Sequence, residues 1–145
     1  MIRVPSKTSA ATVHALDKII PQFPQGVFQS ITCDNGSEFQ DCYGMEHDRQ
    51  GNTRLTVYYC HPYSSCERGS NERNNRVFRR FSPKGKGMAR FTQKDCDYAA
   101  GFMNTMCRRV LGWDTAQDCF IRELYQIDPA FAKFFSEKCS VGLDI

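Results

Sequence analysis

The chain is predicted to have an α/β fold, because β-rich runs and helical patterns alternate along it. Residues 2–5 look like the end of a strand, a helical pattern follows, and two further β-rich runs, 27–33 and 55–60, precede a helical second half. The 145 residues, 41% of them hydrophobic, are enough for one hydrophobic core. The sequence therefore predicts a mixed sheet flanked by helices.

The first helix and the strand after it carry recognisable boundary signals. Thr8 and Ser9 can cap the helix. Its apolar residues recur at helical spacing: Val13, Leu16, Ile19 and Ile20. Pro21 ends the helix, and the turn Asp34-Asn35-Gly36 directly follows the run 27–33. The Asp34 carboxylate is therefore expected to project from an edge of the sheet.

The middle of the chain combines a polar connection with a predicted helix. The segment 39–52 is polar and turn-prone, and a loop beyond Pro62 ends near Gly69. Residues 71–81 are predicted to be helical. The apolar face of this helix is supplied by three residues: Val77, Phe78 and Phe81.

The C-terminal third is predicted to be helical as well. Thr92, with Asp95 three residues later, is a capping pattern for a longer helix. Five residues of that helix are expected to point toward the core: Cys96, Ala99, Ala100, Met103 and Cys107. Thr115 can cap a further helix through Leu124, and a stripe of phenylalanines follows it.

Positive charge is concentrated in one segment. The formal net charge is only +3, so a nucleic-acid interpretation must depend on where the charge lies. Between residues 68 and 90 there are eight basic residues and a single acid, Glu72, whereas the rest of the chain is net acidic. An isolated carboxylate in a basic segment suits a place where a metal ion meets a polyanion.

The eight cysteines are predicted to be reduced thiols of a cytoplasmic protein. The N-terminus has no apolar signal region, no C-x-x-C pair occurs, and no apolar run approaches the ~18 residues needed to span a bilayer. Cys42, His47, Cys60 and His61 could converge on zinc, although their spacing matches no standard finger.

Asp34 and Glu72 are the candidate metal ligands. Transfer of a phosphodiester needs charge neutralisation at the attacking and leaving oxygens, which two divalent ions about 3.5 to 4 Å apart can provide. Mg²⁺ takes one or two protein carboxylates and completes its coordination with waters and substrate oxygens. Asn75 lies one helical turn after Glu72, on the same face.

Each of these residues also has a purely structural interpretation. Asp34 can be a turn former, since Asp-Asn-Gly is a common turn. Glu72 can be an acid favoured by a helix N-terminus, or the partner of Arg76 at i+4. The arginines can be a solvated helix face, and the tyrosines near residues 58–63 are more often strand packing than platforms for base stacking.

Three ordered segments resemble bacterial insertion-sequence transposases of the IS-thirty family. They are Thr32 to Phe39, His61 to Asn74 and Arg79 to Gly85, and Leu111 to Ala116 is similar to that family's closing segment. The resemblance covers roughly residues 2 to 121. It implies a ribonuclease-H-like integrase core with a D, D, E triad that binds Mg²⁺ or Mn²⁺.

Within this resemblance, Asp34 matches the second acid of the triad, Glu72 the third, and Asn75 completes an E-x-x-N pattern. The first aspartate of the family lies upstream of the matched residues. Asp17 cannot replace it, because it belongs to the first helix and is expected to face solvent.

The chain is therefore expected to be an N-terminally truncated core. Residues 1–121 would form the partial catalytic core and 122–145 a helical tail. Loss of the first strands would expose edges of the sheet, which favours a homo-oligomer.

The resemblance predicts the C-terminal part of a DDE transposase catalytic domain, acting in the bacterial cytoplasm on insertion-sequence DNA ends and target DNA. Six basic residues are expected to contact phosphates: Arg68, Arg76, Arg79, Arg80, Lys84 and Lys86. One alternative is a catalytically dead DNA-binding or regulatory remnant of a transposase. Another is a cysteine-rich metal-binding module without a nucleic-acid role.

Overall fold

The computed structural model describes residues 1–61, 69–82 and 91–141. The chain forms two compact units. The N-terminal unit comprises Val4–Gly69, and the C-terminal unit comprises Met1–Arg3 together with Ser70–Ile145. Both contain helices, and the N-terminal unit also contains a sheet, so the predicted α/β class is confirmed.

The N-terminal unit begins with helix α1, Ser9–Ile19. The predicted cap is formed, since the Thr8 hydroxyl accepts a hydrogen bond from the Ala11 amide at 3.3 Å. A 3₁₀ turn, Ile20–Gln22, follows α1 and contains Pro21, which lacks the amide needed to continue a helix.

Two short strands form a parallel sheet in this unit. Strand β1 is Ser30–Cys33 and strand β2 is Thr56–Tyr59. Ser30 pairs with Thr56 and Cys33 with Tyr59, so the carboxyl ends of both strands lie at the same edge. The buried residues of the core are Cys33, Met45, Leu55 and Val57, against which the apolar face of α1 packs.

Two features of the N-terminal unit differ from the sequence prediction. The polar segment 39–52 contains a short helix α2, Cys42–Glu46, which the Asp41 side chain caps by accepting from the Gly44 amide at 2.8 Å. One turn of helix is too short to produce a periodic apolar pattern, although it brings Met45 into the core.

The expectation that Asp17 faces solvent is wrong. Its side chain is only 17% exposed, with Oδ1 2.6 Å from Nη1 of Arg54 and Oδ2 3.1 Å from Nε of Arg49. Arg54 also donates hydrogen bonds to the carbonyls of Met45 and Gly44, so it ties α1 to α2. The two arginines lie more than thirty residues away in sequence, which the helical pattern of α1 cannot reveal.

The described residues of the C-terminal unit form four α-helices. They are α3 (Gly69–Phe78), α4 (Gln93–Thr105), α5 (Ala116–Ile127) and α6 (Pro129–Val141). Helices α5 and α6 pack together around buried Leu124 and Ala132, and the rings of Phe120 and Phe135 meet edge to face at 5.5 Å. The predicted boundary between residues 121 and 122 falls within α5 and stays a prediction.

The capping prediction for α4 is confirmed. The Thr92 hydroxyl accepts from the Asp95 amide, and the Asp95 carboxylate accepts from the Thr92 amide at 2.7 Å. Cys96 and Met103 are buried as expected, whereas Cys107 is exposed because α4 ends at Thr105.

The strand expected at residues 2–5 is not formed. Instead, the side-chain amide of Gln93 in α4 binds this segment of the C-terminal unit. It accepts from the Arg3 amide and donates to the Met1 carbonyl, both at 2.8 Å. These backbone groups are thereby satisfied by a side chain, without a neighbouring strand.

The described ranges contain seven cysteines, of which six are free thiols: Cys42, Cys60, Cys96, Cys107, Cys119 and Cys139. Within the same ranges, no helix combines the length and the apolar character that a membrane span requires.

Candidate carboxylate site and nucleic-acid surface

Asp34 lies where the sequence predicted it, directly after β1 in the N-terminal unit. Its side chain is half-buried, and Oδ1 accepts a hydrogen bond from the Gly36 amide at 3.3 Å. This is the turn geometry that Asp-Asn-Gly favours. The turn interpretation of Asp34 is therefore correct, and it leaves a carboxylate at the carboxyl edge of the sheet.

The loop that carries Asp34 is attached to both strands. The Asn35 side-chain amide donates to the Cys60 carbonyl at 3.1 Å, and the Cys60 amide donates to the Cys33 carbonyl at 2.9 Å. At the far end of the loop, the Tyr59 hydroxyl donates to the Phe39 carbonyl. Loop 34–39 is thus held at the ends of β1 and β2 by hydrogen bonds on both sides.

Glu38 is a second carboxylate in this loop, and the family motif in which it lies predicts no role for it. It lies in a 3₁₀ turn, Ser37–Phe39, and its side chain is 20% exposed. Its Oε2 is buried and, within the described part of the chain, accepts no hydrogen bond. The Lys7 ammonium lies 3.4 Å from this oxygen as an ion pair, in a geometry that is not that of a hydrogen bond.

Gly36 shows how closely the two carboxylates approach each other. A Cβ at this position would lie 2.6 Å from Glu38 Oε2 and 3.0 Å from Asp34 Oδ1. The backbone of Gly36 has φ −67°, which any residue can adopt. A Cβ at this position would therefore displace the end of the Glu38 side chain, and both carboxylate oxygens border the volume that it would fill.

This arrangement fits a divalent cation. Carboxylate oxygens are the ligands that Mg²⁺ prefers, and one or two of them suffice when phosphate and water complete the shell. A buried carboxylate oxygen without a hydrogen bond is unfavourable unless a cation compensates it. Asp34 and Glu38 together therefore supply a suitable pair of donors at the end of β1.

The zinc hypothesis gains no such support. Cys42, His47, Cys60 and His61 all lie among the described residues, and within these no group of three or more histidine, cysteine or acidic side chains is arranged to hold a metal ion. His47 stacks on the ring of Tyr43 at 4.1 Å.

Glu72 lies in the first turn of α3, in the C-terminal unit, and is exposed. Asn75 and Arg76 follow at i+3 and i+4, so all three share one face of the helix. Among the described residues no ion pair joins Glu72 to Arg76, which removes one of the two structural interpretations of Glu72. The other, an acid favoured by the helix N-terminus, is compatible with its position.

Arg79 and Arg80 extend the same exposed face just beyond α3. The Arg79 amide donates to the Asn75 carbonyl at 3.0 Å, which continues the helical pattern for one more residue. We call the residues Glu72, Asn75, Arg76, Arg79 and Arg80 the α3 stripe. It is a basic surface containing one acid.

The opposite side of α3 carries the contacts that hold the helix. The rings of Phe78 and Phe91 lie 5.4 Å apart, and those of Phe81 and Phe102 lie 5.3 Å apart. Arg108 is 3.4 Å from Oδ1 of Asn74 and also donates to the Met103 carbonyl. The apolar residues thus anchor the helix and leave the charged ones in solvent.

Three of the predicted phosphate contacts, Arg68, Lys84 and Lys86, lie outside the described residues. Asp34 belongs to the N-terminal unit and Glu72 to the C-terminal unit, and each is placed within its own unit.

Comparison with known proteins finds insertion-sequence transposases. The transposase of element IS4351 from Bacteroides fragilis is 32% identical over 120 residues, which cover 83% of this chain and 34% of the relative. The InsI transposase of IS30A from Escherichia coli K12 is 29% identical over 122 residues, covering 84% and 31%. The IS1161 transposase from Streptococcus salivarius is 37% identical over 92 residues, covering 63% and 25%. No family model matches the chain.

These relatives are all insertion-sequence transposases. The recognition predicted from the three ordered motifs is confirmed, because the chain is similar to transposases of the IS30 family. It spans about a third of the length of the curated relatives it matches.

Proposed function

We propose that the chain is the C-terminal part of a DDE transposase catalytic domain, which in complete form cuts and joins insertion-sequence DNA. The observation that supports this most directly is the carboxylate arrangement at the end of β1. There Asp34, which matches the second acid of the family triad, shares the space above Gly36 with Glu38. The α/β arrangement of the N-terminal unit is compatible with a ribonuclease-H-like core.

In this proposal Asp34 and Glu72 hold Mg²⁺ or Mn²⁺, and Asn75 is the polar neighbour of Glu72 on α3. The bound ion would neutralise charge that develops on phosphate oxygens during cleavage and joining. Asp34 is suited to its role because loop 34–39 is bound to the ends of both strands, which fixes the direction of the carboxylate. Glu72 is suited because it is exposed beside arginines that attract a polyanion.

DNA is the proposed partner of the α3 stripe. Arg76, Arg79 and Arg80 are exposed on one face, so a phosphate backbone can approach all three. Arginines that neutralise phosphates release counterions, and the affinity therefore falls as salt rises. This contact is independent of base sequence, which suits a surface that positions DNA.

Titration of the 145-residue chain with Mn²⁺, followed by calorimetry, tests the metal site. We expect Mn²⁺ to bind, and both Asp34→Asn and Glu72→Gln to weaken binding at least about tenfold, because each removes a charged ligand. Glu137→Gln is the matched control, since Glu137 is an exposed acid in α6. Unchanged binding by Asp34→Asn would exclude Asp34 as a ligand.

A catalytically dead DNA-binding remnant is the second candidate function. One observation favours it: the α3 stripe is an exposed basic surface, which can bind DNA without a metal ion. Incubating the chain with supercoiled plasmid and Mg²⁺ distinguishes a catalytic domain from a catalytically dead remnant. Nicking that Glu72→Gln abolishes would reject the remnant, whereas salt-sensitive DNA binding without nicking would support it.

A further inference from the structure

We propose that Glu38 is a further ligand of the divalent cation held by Asp34, and that Lys7 competes with that cation for Glu38. This inference rests on the proposed function, because it concerns the same metal site. It adds to the triad a carboxylate that lies only four residues after Asp34.

Within the described ranges, one oxygen of the Glu38 carboxylate is buried without a hydrogen bond. Glu38 Oε2 is inaccessible to solvent and, among the described residues, accepts no hydrogen bond. A carboxylate oxygen normally has hydrogen-bond donors or a cation around it, because burial removes its water. The part of the chain that the structure describes offers this oxygen only the Lys7 ammonium, 3.4 Å away.

The carboxylates of Glu38 and Asp34 also converge. Glu38 Oε2 and Asp34 Oδ1 border the same small volume, which the missing side chain of Gly36 leaves open. Two carboxylates so close together repel each other unless a cation lies between or beside them. A Cβ at Gly36 would displace the end of the Glu38 side chain, so the glycine leaves this volume open to an ion.

The segment that carries Glu38 is held in place by the fold. Glu38 lies in the 3₁₀ turn Ser37–Phe39, whose Phe39 amide donates to the Gly36 carbonyl at 3.0 Å. The Phe39 ring packs against the core, and its carbonyl accepts from the Tyr59 hydroxyl. The position of Glu38 relative to β1 is therefore set by the fold, as a metal ligand requires.

Lys7 is suited to compete without binding firmly. Its side chain is 73% exposed, and an exposed ammonium gains little from an ion pair because water screens it. A divalent cation with two carboxylate ligands should displace it. Lys7 would then oppose metal binding, although it lies next to the site.

The experiment measures Mn²⁺ affinity of the 145-residue chain by calorimetry, with Mg²⁺ competition as a second readout. Four variants are compared with the wild type: Asp34→Asn, Glu38→Gln, Gly36→Ala and Lys7→Gln. Lys18→Gln is the matched control for Lys7, because it removes an exposed lysine from the last turn of α1. Circular dichroism confirms that each variant is folded.

We expect Glu38→Gln to weaken Mn²⁺ binding about tenfold or more, and Gly36→Ala to weaken it similarly by displacing the Glu38 carboxylate without removing its charge. Lys7→Gln should tighten binding a few-fold, whereas Lys18→Gln should leave it unchanged. If Mn²⁺ affinity falls in Glu38→Gln and rises in Lys7→Gln, Glu38 is a ligand and Lys7 its competitor. A simple structural ion pair would not change Mn²⁺ affinity in opposite directions.

Two outcomes would overturn the inference. If Asp34→Asn weakens binding while Glu38→Gln stays within twofold of wild type, Glu38 is no ligand and the proposed function stands. If Asp34→Asn also has no effect, the metal site itself is wrong, and the proposed function fails with it.

Discussion

Asp17 Oδ1 lies 2.6 Å from Nη1 of Arg54, and this ion pair joins α1 to the segment before β2. Arg54 is almost completely buried, with 8% of its side chain exposed, so its charge depends on Asp17 and on the carbonyls of Met45 and Gly44. Removing the carboxylate would leave a buried cation with neutral acceptors only. The pair therefore holds α1 against α2 and the segment that leads into β2.

Replacing Asp17 with asparagine is expected to lower the free energy of unfolding by about 2 kcal/mol, since hydrogen bonds to charged groups contribute amounts of this order. Arg49→Gln is the comparison, because Arg49 contacts the same carboxylate but is 77% exposed. Arg49→Gln should lower the free energy of unfolding by less than about 1 kcal/mol. Urea unfolding followed by circular dichroism measures both. Equal losses would show that the burial of Arg54 is not what makes its ion pair important.

The same pair predicts a pH dependence of stability. Burial opposes ionisation of Asp17, but hydrogen bonds and charges from Arg54 and Arg49 outweigh it and lower the pKa of the carboxyl below its ordinary 3.8. The stabilisation is therefore complete above the unfolded-state pKa and is lost as pH falls through the lower, folded-state pKa. The difference in melting temperature between wild type and Asp17→Asn should shrink below about pH 4. A difference that stays constant to pH 2 would contradict this.

Thr92→Ala is expected to destabilise α4 by about 1 kcal/mol, because it removes the hydroxyl that accepts from the Asp95 amide. Thr92→Ser keeps the hydroxyl and should retain most of the stability. Hydrogen exchange in the first turn of α4 localises the effect. Equal protection in the alanine and serine variants would mean that the cap contributes nothing measurable.

Arg76→Ala and Arg79→Ala are each expected to weaken binding to duplex DNA, uniformly across sequences. Each should also reduce the slope of log affinity against log salt by about one, because one phosphate contact is lost. Lys133→Ala, which removes an exposed lysine from α6, is the control. Fluorescence anisotropy between about 50 and 200 mM salt measures the slope. An unchanged slope in both arginine variants would assign DNA binding to another surface.

Local signals predicted much of the secondary structure. The caps at Thr8, Thr92 and Thr115 were correct, because a cap involves residues only three positions apart. The position of Asp34 after a strand was correct for the same reason. The helix 42–46 was missed, since a single turn leaves too few residues to show a period.

Contacts between distant residues could not be predicted in this way. The pairing of Asp17 with Arg54 joins residues 37 positions apart, and nothing in the helical pattern of α1 marks its partner. Glu38 lies in a family motif that predicts no role for it. The proximity of its carboxylate to Lys7 depends on how α1, which Lys7 precedes, packs against loop 34–39.

The amino-acid sequence was sufficient for the family, for the capped helices and for the concentration of positive charge around Glu72, because ordered motifs and local spacing carry that information. The folded chain was needed to show that Asp17 is an internal ion-pair partner and that Lys7 lies beside Glu38. The physical reason is that burial and proximity arise only when segments far apart in sequence pack together. A carboxylate's role follows from its neighbours in space.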